Sequence, residues 1–197
     1  MKTMNTKTIA LLLAGMVVAG GLTSCKKKKE VVEKNVEGEV LIEQHCSGPE
    51  FFSNDKFFRA NNLGESMDRS TSKKKAMANA RADLASAITT TMRGVIDNYV
   101  NSREMNNQEE VEERFEGLTR EVLDQQLVGT KTICEKMTQK TDGSGYVTYV
   151  AIELSGQDLL GKYHDRLSKD DRLKIDYDYE QFKETFNEEM NKLRDGN

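Results

Sequence analysis

The chain has 197 residues, 31% charged and 37% hydrophobic, with a formal charge of -4, three Cys, two His, one Pro and no Trp. That length suits a single domain with tails, and a mean hydropathy of -0.68 excludes a multi-span membrane protein. The acidic balance argues against nucleic acid as a partner, because holding a phosphate backbone needs a basic field that releases counterions.

Lys2 and Lys7 form a short basic start, and Thr8 to Ser24 follow without a charge. The apolar run from Ile9 to Val18 has the size of a secretory h-region and falls short of the roughly 20 residues that span a bilayer. Small residues then lead to Leu22-Thr23-Ser24-Cys25, which resembles a bacterial lipobox. In such a sequence the Cys thiol takes a diacylglycerol and cleavage leaves it as the first residue. The expectation is a lipoprotein signal peptide over residues 1–24 and acylation, palmitate included, at Cys25. Loss of Lys2 and Lys7 leaves 27 basic and 33 acidic side chains, formally -6. No Asp follows Cys25, so the usual inner-membrane retention signal of enterobacterial lipoproteins is missing. The outer membrane is the expected address, on its periplasmic or its surface side. Residues 25–39, opening with Lys26 to Lys29, read as a polar tether.

Val40 to Cys46 has the composition of a strand closed by Ser47-Gly48-Pro49, and Lys56 to Asn61 that of a second strand. From Thr71 to Val100, Met77, Ala80, Leu84, Ile88, Met92, Val95 and Tyr99 recur at helical steps, with Asn79, Asp83, Ser86, Thr90, Arg93 and Asp97 opposite. A second helix fits Gln108 to Gln126, with Val111, Phe115, Leu118 and Val122 inward. The period then drops to two. Lys131 to Gln139 and Tyr146 to Leu154 flank Thr141-Asp142-Gly143-Ser144-Gly145, a hairpin signal. Ser155 caps a short helix, and Ile175, Tyr179, Phe182, Phe186, Met190 and Leu193 form the stripe of a last one. The order β-β-α-α-β-β-α-α predicts an α+β domain, an antiparallel sheet of about four strands covered by helices. The predicted domain occupies residues 40–166, with residues 167–197 as a C-terminal amphipathic helix.

Phe58-Arg59-Ala60 through Asn62-Leu63-Gly64-Glu65-Ser66, then Ala76, Ala80 and Leu84-Ala85, resemble the small bacterial outer-membrane lipoproteins of the "lipoprotein twenty" type. The family pattern is a strand, an Arg-Ala-x-Gly-like turn, an alanine-rich helix and a hairpin with a Tyr-rich strand, here Tyr146-Val147-Thr148-Tyr149-Val150-Ala151-Ile152-Glu153-Leu154. The likeness covers roughly residues 40 to 165, and the glycine spacing after Arg59 departs from the commonest form. It implies an envelope lipoprotein with no catalytic residues to carry over.

Once Cys25 takes lipid, Cys46 and Cys134 remain. In an exported compartment they invite a disulfide, and each is equally suited to burial as a lone small hydrophobe. His45 beside Cys46 does not make a nucleophile and base if the two alternate along a strand. His164-Asp165, Asp170-Asp171 and Asp176-x-Asp178 match no calcium-loop spacing. No catalytic motif, metal site or cofactor is expected. Lys73 to Lys75 with Arg59, Arg69 and Arg81 read as a basic patch or a solubilising surface. The expected role is a non-enzymatic structural or protein-interaction module touching membrane lipid through Cys25 and another envelope protein or peptidoglycan. Tyr149, Phe182, Phe186 and Met190 are its candidate contact residues. The alternative is a lipid- or glycan-binding module with an apolar pocket between helix and sheet, lined by Phe57, Met92 and Tyr149.

Overall fold

The computed structural model describes residues 38, 42–102, 108–170 and 177–196. The described residues from 42 onward group as one compact unit, the larger of two in the chain. The larger unit is α+β, with four helices and a three-stranded antiparallel sheet among the described residues. In chain order come a short 3-10 turn at Pro49–Phe51, β1 (Phe57–Ser66), α1 (Arg69–Asn101), α2 (Gln108–Gln126), β2 (Lys131–Gln139), β3 (Tyr146–Ser155), α3 (Gly156–Leu167) and α4 (Tyr179–Asp195). β3 lies in the middle, with β1 and β2 at the edges.

One face of the sheet is the floor of the core. Phe58 and Ala60 of β1, with Thr148, Val150, Ile152 and Leu154 of β3, turn toward α1, which answers with Ala76, Ala80, Leu84, Ile88 and Met92. The alanines let this helix lie close to the strands, and Gly64 sets the closest approach. A Cβ there would stand 2.3 Å from the Ala76 amide nitrogen and 2.5 Å from the Ser72 carbonyl oxygen. The same contact holds a buried polar relay: Ser72 Oγ donates to the Gly64 carbonyl (2.8 Å), and Thr148 Oγ1 sits 2.7 Å from Ser72 Oγ. Asp68 starts α1 by accepting from the Thr71 amide (2.7 Å), and Ser155 starts α3 by accepting from Asp158.

Three expectations change. Among the described residues the sheet has three strands: residues 42–44 are irregular and His45-Cys46 form a turn, with Cys46 at φ 59°, while Val40 and Leu41 lie outside the described residues. The chain at 53–54 occupies the start of the β1 edge, at Phe57 and Arg59, with hydrogen bonds (below). Next, the Arg59–Gly64 segment is not a turn. It is the middle of β1, which runs on to Ser66 in register with Tyr146, and its glycine serves the helix contact. Lastly, the C-terminal stripe belongs to the domain core. Phe182, Phe186 and Met190 are almost wholly buried, and Leu193 is partly buried against the same core; Ile175 lies outside the described residues.

Candidate interaction surface: the outer face of the sheet

Because side chains alternate along a strand, the register fixes what the opposite face carries. Its cross-strand rows are Arg59–Glu153–Lys131, Asn61–Ala151–Cys134, Leu63–Tyr149–Lys136 and Glu65–Val147–Thr138. A β-bulge between Thr132 and Cys134 keeps Cys134 on this face. Residues 42–56 cross part of the face as a strap. Cys46 is bonded to Cys134, with Cα atoms 5.7 Å apart, and the His45 ring meets the Tyr149 ring edge-on at 5.3 Å.

Arg59 anchors the rest of the strap. Its Nε is 3.1 Å from Glu153 Oε2, and one guanidinium nitrogen donates to the Glu50 carbonyl (3.1 Å). Ser53 Oγ bridges the Arg59 amide and carbonyl. Glu153 is buried to 8% exposure and also has Lys131 at 3.5 Å. A carboxylate so far out of water needs such cationic partners. Beyond the strap, Leu63, Val147 and Tyr149 remain half-exposed with Lys136 beside them.

Of the contact residues read from sequence, Tyr149 alone stands on this face. Phe182, Phe186 and Met190 are turned inward and offer no contact surface: Phe182 packs on Tyr99, Phe115, Tyr163 and Tyr177, and Phe186 on Phe58. Nor do Phe57, Met92 and Tyr149 line one cavity. Met92 lies under the sheet, whereas Phe57 and Tyr149 alternate onto the far side. The basic residues also part company: Lys73 meets Glu135 at 2.8 Å and Arg69 meets Met137 Sδ, while Arg59 serves the strap across the sheet.

The aromatic cluster where the helices meet holds the strongest titration shifts. Burial raises the Tyr163 phenol far above its ordinary range, and burial followed by neighbouring Tyr99 does the same for Tyr177. Both stay neutral and act as apolar packing with a polar tip. The Tyr99 hydroxyl accepts from the Asp178 amide (2.8 Å), and Arg114 pairs with Asp170 at 2.7 Å. Asp178 is occupied as the cap of α4. Among the described residues no group of three His, Cys, Asp or Glu side chains gathers to hold a metal. Cys46 is no nucleophile, since its sulfur is bonded, so the reason differs from the strand alternation inferred from sequence.

The outer face thus has a disulfide-held border and a partly buried apolar centre of Leu63, Val147 and Tyr149. Comparison with protein-family models and with curated protein sequences finds no match to this chain.

Proposed function

We propose that the chain is a bacterial envelope lipoprotein, held by an acylated Cys25 at the outer membrane, whose α+β domain is a non-enzymatic interaction module. The observation that carries this reading is the cysteine arithmetic. The sequence has three cysteines, and the Cys46–Cys134 bond leaves Cys25 as the one thiol unspent, at the end of a lipobox. A disulfide in a small domain also favours an exported, oxidising compartment. Residues 1–24 serve as the signal peptide and residues 25–39 as the tether, in the manner of the small outer-membrane lipoproteins that the sequence resembles. The partner is another envelope protein, met by the outer sheet face around Tyr149 and by the sheet edge beside it. No helix among the described residues is long and apolar enough to cross a membrane, so in this reading the acyl chains alone provide attachment; each buried CH₂ contributes about 0.8 kcal/mol.

Fractionation tests it. The wild-type protein sediments with membranes, and globomycin, which blocks lipoprotein maturation, leaves a larger uncleaved form. A Cys25→Ala protein whose leader has been removed moves to the soluble fraction. Its full retention in the membrane pellet refutes the anchor.

A further inference from the structure

The two edges of the sheet are treated differently. Along β1 most outward-facing backbone groups are met by side chains and loop. The Phe57 amide donates to Asn54 Oδ1 and its carbonyl accepts from the Asn54 amide; Ser53 Oγ takes both groups of Arg59. Farther along, the Leu63 amide donates to Asn62 Oδ1, its carbonyl accepts from Asn79, and the Glu65 carbonyl accepts from Lys75. Apart from Asn61 and the Glu65 amide this edge is covered, as sheets need if they are not to recruit other chains.

β2 is open. The Lys140 amide donates to the Gly145 carbonyl, so by the two-residue alternation of an antiparallel pair Thr138 and Lys136 also turn their backbone toward β3. Glu135, Met137 and Gln139 turn theirs outward. Among the described residues nothing bonds to those amides and carbonyls. The open edge is also cationic. Lys131 and Lys136 flank it on the outer face, and Arg69 and Lys73 on the α1 side, where Lys73 reaches Glu135 and Arg69 reaches Met137. Glu135 is the one carboxylate on β2 itself, in a chain that is acidic overall.

We propose that the free edge of β2 takes an extended acidic segment of a partner protein as a fourth strand of the sheet. Main-chain hydrogen bonds to Glu135, Met137 and Gln139 would supply the pairing, and pockets between alternate side chains the selectivity. Acidic side chains on one face of the added strand meet Lys131 and Lys136, and those on the other meet Arg69 and Lys73. A second copy of β2 fits worse. Centring it on the middle of the strand sets Glu135 opposite Glu135 or Lys136 opposite Lys136, and like charges directly opposite destabilise a pair. The proposal rests on the interaction-module reading for the existence of a protein partner, and needs no acylation.

The test uses the full mature chain in detergent and two synthetic peptides, one alternating glutamate with valine and one alternating lysine with valine. Binding is followed by fluorescence anisotropy, and its place by hydrogen exchange. The acidic peptide binds in the millimolar range or tighter and protects residues 131–139; the basic peptide does not bind. Met137→Pro removes one outward amide without breaking the ladder to β3 and weakens binding at least about tenfold. Lys136→Glu, an exposed change that leaves the Glu153 ion pairs in place, also weakens it and reports even if the proline variant fails to fold. Binding that ignores these variants, protection elsewhere, equal binding of both peptides, no binding at millimolar peptide, or self-association that protects β2 each overturns the proposal. A Cys25→Ala protein that still binds the acidic peptide separates the two readings: the anchor then fails or stands on its own fractionation result.

Discussion

Replacing Gly64 with alanine perturbs the fold at the point where α1 comes closest to the sheet. The added Cβ would meet the Ala76 nitrogen at 2.3 Å, the Ser72 oxygen at 2.5 Å and the Lys75 Cβ at 2.7 Å. Two of these atoms are helix backbone, so no side-chain rotation relieves them and α1 must retreat by about 1 Å, a gap that already forfeits a quarter to a half of a contact's dispersion energy. Overpacking of this kind costs about 1–3 kcal/mol. Stretching the Ser72–Gly64 hydrogen bond inside the core adds about 1 kcal/mol. The reduced freedom of the unfolded chain offsets about 0.4–1 kcal/mol. The net destabilisation is about 1–3.5 kcal/mol, read as a lower urea midpoint at unchanged slope. Gly117→Ala supplies the control: nothing lies within 4 Å of its would-be Cβ, and inside α2 the same change stabilises by about 0.5–1 kcal/mol. If Gly64→Ala unfolds within about 0.5 kcal/mol of wild type, the close helix approach is wrong.

Three further outcomes follow from the strap and the caps. Reducing the Cys46–Cys134 bond, whose ends are 88 residues apart, lowers stability by up to about 4–5 kcal/mol on the chain-entropy relation; Cys134→Ala without reductant shows the same loss, and dithiothreitol adds nothing to that variant. Arg59→Ala strips the buried Glu153 of its nearer cation and frees the Glu50 carbonyl, costing about 2–3 kcal/mol and raising hydrogen exchange at residues 50–54. Backbone amide donors, from Thr71 to Asp68 and from Ser144 to Asp142, hold both carboxyls below the usual range. Their contribution is therefore complete above the unfolded carboxylate pKa near 4 and is lost as the pH falls through the lowered folded values; Asp68→Asn keeps the cap and flattens that acid limb in urea titrations.

Local pattern located most elements. α2 and β2 fall on the bounds inferred from sequence, Gln108–Gln126 and Lys131–Gln139, because an amphipathic period gives way to a period of two across a glycine. What sequence could not supply is long-range. The family resemblance puts a turn at Arg59 to Gly64, yet these residues are strand, where Asn62 and Gly64 answer Asp83 and Ser72 of a helix that arrives later in the chain. The Val40–Cys46 run has strand composition, but its described part is irregular and ends in a turn where Cys46, at φ 59°, is bonded to Cys134. The stripe of α4 is visible as a stripe, while its destination depends on Tyr99, Phe115 and Tyr163. Arg59 and Glu153, 94 residues apart, carry no local signal as a pair, and the cationic border of β2 appears only once α1 lays Arg69 and Lys73 beside it. The open edge was invisible for the same reason: strand order is a property of the assembled sheet.

Intact-mass measurement of the protein extracted from native membranes tests the account most directly. A chain beginning at Cys25 and carrying two or three fatty acyl groups, with Cys46 and Cys134 oxidised, is the predicted result. A bare Cys25 sulfur, with the leader retained or removed at another bond, contradicts it.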